Sequence, residues 1–215
     1  MVEAVILDVD GTLVDTNYQH AIAWDRALAR HGAFVELWRI HRHIGMGGDH
    51  LVARLAGDEV EESSGDEIRD SESVFYGELI RETRAIKGAP ELIRELERRD
   101  VAVVLASSAP EDEVGRYVEM LGVEGSVEAT TSGDVENTKP KPDLVEAALE
   151  RAGTRNALMV GDSKWDIEAA KRAGIPTIGV LTGGFSRAEL SEAGAIEVYE
   201  SIMGIADDLD AALSR

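Results

Sequence analysis

The chain has 215 residues, 42 acidic against 22 basic, for a formal charge of −20 at neutral pH. That length suits one sizeable domain or a core carrying an insertion, and the charge argues against nucleic acid or an anionic membrane as a partner. Cysteine is absent, which excludes disulfides, thiol nucleophiles and cysteine-based metal sites. No run reaches membrane-spanning length and no secretory-signal pattern opens the sequence, so a soluble cytoplasmic protein, monomeric or homodimeric, is expected.

The first element is the apolar run Ala4-Val5-Ile6-Leu7, which stops at Asp8-Val9-Asp10-Gly11-Thr12. A β-branched run of this kind reads as a buried parallel strand. Residues two apart on a strand share a side, so Asp8 and Asp10 leave its carboxyl end together. In open α/β sheets that end is where ligands bind. Two neighbouring carboxylates need a cation or a shared proton, and an oxygen-only donor set suits Mg2+. The plain alternative is a strand end followed by a turn with solvated aspartates.

From Asn17 to about Ile86 no strand-like run appears. Ala21, Ile22, Trp24, Ala27 and Leu28 recur at helical spacing up to His31-Gly32. A short helix is expected within 35–44, then a break at Gly45-Met46-Gly47-Gly48, then a helix carrying Leu51, Val52 and Leu55. Asp58 to Gly65 reads as a solvated acidic loop. A long helix is expected over 68–85, with Val74, Phe75, Leu79 and Ile80 on its apolar face. Residues 17–86 therefore read as an inserted all-helical domain.

Lys87-Gly88-Ala89-Pro90 marks a boundary, after which strand and helix alternate. The expected strands are Val101–Leu105, Val127–Thr130, Ala157–Val160, Pro176–Val180 and Ile196–Val198. The expected helices cover 90–99, 111–121, 143–152, 164–173, 187–193 and 201–213. This alternation predicts an α/β, Rossmann-like, doubly wound parallel sheet built from residues 1–16 and 87–215, with the helical unit inserted between them.

Three later strand ends carry chemistry-capable residues. Ser107-Ser108-Ala109-Pro110 precedes a helix and fits either a phosphate cradle or an ordinary N-cap. Lys139 stands in the proline-stiffened stretch Thr138-Lys139-Pro140-Lys141-Pro142-Asp143, which suits either a fixed positive charge facing an anion or an ordinary loop lysine before a helix opened by Pro142. Gly161-Asp162-Ser163 ends an apolar strand, and Asp166 follows one helical turn later on the same face. All four strand ends converge at one edge of one sheet.

In these motifs, their order and their spacing the chain resembles the haloacid dehalogenase superfamily, in the branch of phosphoglycolate phosphatases and β-phosphoglucomutases with a small helical cap. The resemblance implies an Mg2+-dependent hydrolase of a small-molecule phosphate monoester. Asp8 would be the nucleophile that forms an aspartyl-phosphate, and Asp10 the general acid and base. Mg2+ would sit on Asp8, the Asp10 main-chain carbonyl and Asp162, with Asp166 orienting from behind. Ser107, Ser108, backbone N–H groups near Gly11, and Lys139 would hold the phosphoryl group.

The cap would set specificity. Gly47 of the Gly45–Asp49 loop is a candidate substrate contact, and Arg42, His43, His50 and Arg54 flank that loop as candidate cations for a second anionic group. His20 matches a histidine position of β-phosphoglucomutases, but also reads as a packed helix residue. A phosphomutase is the first alternative, although its family carries lysine and arginine in the cap loop, which Gly45–Asp49 lacks. A haloacid dehalogenase proper normally lacks the second aspartate, so Asp10 argues against it. A non-enzymatic binding protein is the remaining class.

Overall fold

A computed structural model describes residues 2–214. Its centre is a six-stranded sheet, all parallel, in the order β5-β4-β1-β6-β7-β8. These strands are β1 (Ala4–Leu7), β4 (Ala102–Ala106), β5 (Glu128–Thr130), β6 (Ala157–Gly161), β7 (Thr177–Val180) and β8 (Glu197–Tyr199). β1 lies between β4 and β6, with Ile6 opposite Val104 on one side and Met159 on the other. That central position explains why β1 is apolar on both faces and buried throughout.

Helices α5 (Ala89–Glu97), α6 (Glu111–Leu121), α7 (Asp143–Ala152), α8 (Lys164–Ala173) and α9 (Arg187–Ala193) connect successive strands. Val5 and Leu7 pack into one apolar cluster with Leu92, Ile93 and Tyr117. Ala4 and Ile6 pack into a second cluster on the opposite face, with Val145, Ala148 and Ala169. The sheet is therefore covered on both faces, as expected of a doubly wound fold.

The chain leaves the sheet after β1 through β2 (Val14–Asp15) and returns through β3 (Arg84–Ala85), which pair antiparallel. Between them lie α1 (Asn17–Arg30), α2 (Leu37–His41), α3 (Gly48–Ala56) and α4 (Asp58–Leu79). Their apolar faces form a cluster of their own around Trp24, Leu28, Ile40, Leu51 and Ile68. Trp165 at the start of α8 joins this cluster and so ties it to the sheet's edge.

The structure corrects the sequence reading in three places. Asp58 to Gly65 is helix, not loop: α4 runs unbroken for 22 residues. Asp58, Glu59 and Glu61 occupy its first turn, where acids complement the helix dipole. Gly65 does not break it, because a Cβ there would lie 2.6 Å from Glu61 and 2.9 Å from Arg69. The glycine leaves room for Arg69 to reach across to Glu61. The helix also ends at Leu79 rather than Ala85, since Arg84–Ala85 pairs as a strand. Its inward face is Ile68, Tyr76 and Leu79, whereas Val74 is 60% exposed. Finally, the helix expected over 201–213 divides at Asp208 into α10 (Ile202–Asp207) and α11 (Leu209–Leu213), where Asp208 has φ −117° and ψ 27°.

Ile6, fully buried between two strands, tests the core. Ile6→Ala should lower the unfolding free energy by about 2–5 kcal/mol, read from the urea midpoint, because neighbouring strands cannot collapse into the space.

Candidate active site

The backbone N–H of Asp8 donates to the Val160 carbonyl at 3.0 Å, which continues the ladder one residue past β1. The chain then turns sharply. The N–H groups of Thr12, Leu13 and Val14 all point at the Val9 carbonyl, at 3.2, 2.8 and 3.0 Å. Gly11 sits in that turn with φ +76°, and a Cβ there would lie 2.3 Å from Asn17 and 2.5 Å from Asp162. Both conditions require glycine.

The turn delivers the Thr12 hydroxyl to Asp8 Oδ2 at 3.0 Å and to Asp162 Oδ1 at 3.2 Å. Asn17 Nδ2 donates to Asp162 Oδ2 at 2.9 Å. Lys139 is buried, 1% exposed, and its Nζ pairs with Asp8 Oδ1 and, at 2.8 Å, with Asp166 Oδ1. The other Asp166 oxygen accepts from Ser163 N–H at 3.0 Å and from Ser163 Oγ at 2.6 Å.

Burial pushes Asp8 up to about 7; Asp166 and Asp10 add to this, and Lys139 opposes it. Burial and the neighbouring charges of Asp166 and Asp8 likewise hold Asp162 well above the carboxylate range. For Lys139, burial favours the neutral amine, but Asp166 and Asp8 outweigh it and the ammonium is retained. Asp8, Asp162 and Asp166 present oxygens that all lie within 4.8 Å of one another. Buried oxygen donors whose charge Lys139 only partly offsets fit a hard divalent cation.

Asp10 is held differently. Its Oδ1 accepts from Thr16 Oγ1 at 2.8 Å, and its Oδ2 from Ser107 Oγ at 3.2 Å. His20 Nε2 lies 3.4 Å from Asp10 Oδ1, while His20 Nδ1 lies 3.0 Å from Glu72 Oε1. The imidazole stacks on Tyr76 with centroids 3.7 Å apart and planes 6° from parallel. Burial disfavours the charged forms of both groups, yet each ends shifted toward its ion. Hydrogen bonds from His20 and Thr16, with the His20 charge, hold Asp10 below the usual carboxylate range. Asp10 and Glu72 together push His20 up to about 10.

A cavity of about 380 Å3 opens over these groups. Asp8, Asp10, His20, Ser108 and Lys139 line it, with Trp24, Ile44, Met46 and Arg69 among the residues of the helical wall. Ser107 instead turns its hydroxyl onto Asp10 and accepts from the Ala109 N–H at 3.1 Å. Gly11, Asp162 and Asp166 sit behind the lining. Gly47 packs against the lysine loop: its N–H donates to the Lys139 carbonyl at 2.9 Å, and a Cβ there would lie 1.4 Å from Thr138 Oγ1.

None of the four candidate cations that flank the loop lines the cavity; Arg54 faces a separate surface hollow with His50. Arg42 pairs with Glu189 and lies 4.0 Å over the Phe185 ring, His43 stacks beside Trp165, and His50 contacts Asp49. Arg69 is the helical-unit arginine that lines it. Asn17, Arg69, Glu72 and Glu113 are site residues that sequence reasoning missed. Only Glu72 left a signal, as an acid at the core-facing spacing between Ile68 and Tyr76.

A doubly wound parallel sheet, four acids and a lysine at its carboxyl edge, and a helical unit inserted after the first strand define a hydrolase of the haloacid dehalogenase type. The chain belongs to the haloacid dehalogenase-like hydrolases, whose family model matches residues 2–174. It is 31% identical to a phosphoglycolate phosphatase of Escherichia coli over 227 residues, covering 94% of this chain and 90% of that one. A hydrolase of Pseudomonas syringae superposes with a TM-score of 0.92 at 32% identity, covering 97% of this chain and 98% of that one. A β-phosphoglucomutase of Clostridium difficile shares the fold at a TM-score of 0.82 and 19% identity, with full coverage of both chains. The resemblance read from the four strand ends is thereby borne out.

Because the folded pKa of His20 is raised, its contribution to stability is complete below its ordinary value of 6.5 and disappears as pH rises through about 10. The unfolding free energy of the wild type should therefore fall relative to that of His20→Asn across this interval. The slope is at most about 1.4 kcal/mol per pH unit, read from urea midpoints. Parallel profiles would show that the two carboxylates do not hold the imidazolium.

Proposed function

We propose that the protein is a Mg2+-dependent phosphatase that hydrolyses a small-molecule phosphate monoester through an aspartyl-phosphate on Asp8. The observation that carries this reading is the opposite treatment of two aspartates on one cavity: Asp8 beside Lys139 and pushed up, Asp10 beside His20 and held down. Two carboxylates whose surroundings drive them apart in this way suit two roles in one reaction.

In this reading an Asp8 carboxylate oxygen attacks phosphorus in line, and the bond from phosphorus to the leaving alcohol breaks. Lys139, the Ser108 hydroxyl and nearby backbone N–H groups hold the phosphoryl oxygens as charge develops on them. Asp10 delivers a proton to the leaving oxygen, and the protonated His20 Nε2 at 3.4 Å is the adjacent source. Asp10 then takes a proton from the water that attacks the aspartyl-phosphate, which releases inorganic phosphate and restores the Asp8 carboxylate. Asp8, the Asp10 main-chain carbonyl and Asp162 would hold Mg2+, with Asp166 fixing Lys139 from behind. The ion, when bound, supplies charge neutralisation at the phosphate. The helical unit of residues 17–86 acts as a cap that excludes water, and β2 with β3 forms its hinge.

A phosphomutase is the second reading, favoured by one feature, the contact of His20 with Asp10. The cap loop argues against it, since Gly45–Asp49 carries no cation to hold a second phosphate. Conversion of β-glucose 1-phosphate to the 6-phosphate, set against release of inorganic phosphate, separates the two.

Asp8→Asn should abolish turnover, by about 10^3-fold or more, with unchanged circular dichroism. Retained activity would remove Asp8 as nucleophile. Exhaustive chelation should also stop phosphate release, and added Mg2+ should restore it. Full activity in chelator would overturn the metal assignment.

A further inference from the structure

Asp8 and Lys139 match one part of the cavity to a phosphoryl group, but the rest of the lining is not matched to an anion. Glu113 in the first turn of α6 and Glu136 on the approach to Lys139 both line the cavity. Neither carboxylate makes a hydrogen bond or ion pair with any described residue. Asp49 and Glu72 add two further carboxylates.

The other cations of the lining, Arg69 and His20, are already engaged. Arg69 donates to Glu61 at 3.1 and 2.8 Å, to Asp66 at 2.9 Å and to the Gly48 carbonyl at 3.1 Å. Both His20 nitrogens face carboxylates, those of Asp10 and Glu72. A second anion on the substrate would therefore meet the carboxylates of Glu113 and Glu136 with no unpaired cation of the lining to receive it, and like charges so placed disfavour such a ligand. Ser73, Ser108 and Ser132 supply hydroxyls on the same cavity, and Trp24, Ile44 and Met46 an apolar face. The volume of about 380 Å3 lies within the range of small-molecule sites.

Resting on the phosphatase reading above, we propose that the substrate is the phosphate ester of an uncharged, hydroxyl-rich alcohol, and that Glu113 is the specificity-determining residue that accepts its hydroxyls and rejects esters bearing a second anion. Burial lifts Glu113 to about 7, with the charge of His20 opposing and those of Asp10, Glu72 and Asp112 adding to the shift. A hydroxyl donor favours its ionised form, and a substrate carboxylate opposes it.

The test compares kcat/KM for glycerol 1-phosphate and 2-phosphoglycolate with saturating Mg2+ at about pH 8, where Glu113 is ionised. The expected result is a preference of about tenfold or more for the glycerol ester, which Glu113→Gln narrows mainly by lowering KM for phosphoglycolate. Glu136→Gln should shift the ratio the same way and serves where the first variant does not fold. Equal use of the two esters, or preference for phosphoglycolate, overturns the proposal. So does a Glu113→Gln variant that changes both esters by one factor, as a purely structural role would. If neither ester is hydrolysed, the phosphatase reading fails, and calorimetric binding of the two esters to Asp8→Asn still decides the charge preference: tighter binding of phosphoglycolate overturns it.

Discussion

Four carboxylates, of Asp8, Asp10, Asp162 and Asp166, crowd one edge of the sheet against the two cations Lys139 and His20. Burying this many like charges is costly unless each finds a donor or a counter-ion. The local chain is arranged around that requirement. Thr12 and Asn17 donate to Asp162, Thr16 and Ser107 to Asp10, and Ser163 to Asp166. What these neutral donors leave uncovered is concentrated on Asp8 and Asp162, the two aspartates pushed upward, and a divalent ion would resolve the excess there.

The strand ends were legible in the sequence because the chemistry there is local. An apolar run that stops at Asp8 and Asp10, or at Asp162, fixes its own geometry within a few residues. The doubly wound fold class followed from the same runs. What the sequence did not disclose depends on contacts made far along the chain. Asn17 meets Asp162 across 145 positions. Glu72 meets His20 across 52. Asp58 to Gly65 looked like a loop because the run is acidic, nearly devoid of apolar residues and closed by the weaker helix formers Ser63, Ser64 and Gly65, and the pairing of Arg69 with Glu61 that supports a helix is not visible without the fold. Arg42 read as a surface residue or a cation for the site, and its pairing with Glu189 and the Phe185 ring decides for the former.

The helical unit does more than cover the cavity. Asn17 and His20 stand in the first turn of α1 and touch Asp162 and Asp10, while Glu72 on α4 completes the pair with His20. Gly47 and Asp49 close a second contact on the loop of Lys139 and Thr138. The protonation of the sheet's acids is thus tied to the position of the helices. A displacement of α1 and α4 would take the imidazolium from Asp10 and remove the main group that opposes burial there, which shifts that carboxyl toward its protonated form.

The same coupling explains how one side-chain type, two residues apart on one strand end, divides into two chemistries. Asp8 and Asp10 are both buried, so desolvation alone would raise both. Their partners separate them. Asp8 shares Lys139 with Asp166, so the ammonium's attraction is split between two anions and cannot offset burial. Asp10 faces His20 with Thr16 and Ser107 donating beside it, and Glu72 behind the imidazole keeps the charge in place. A group that resists ionisation until a cation arrives suits attack in the presence of metal and phosphate. A group whose charge depends on a histidine carried by the helical unit suits proton transfer timed to closure. The difference between these two aspartates, which the proposed reaction uses as nucleophile and acid, therefore lies outside the motif that contains both, in residues contributed by the loop at Lys139 and by the first and fourth helices.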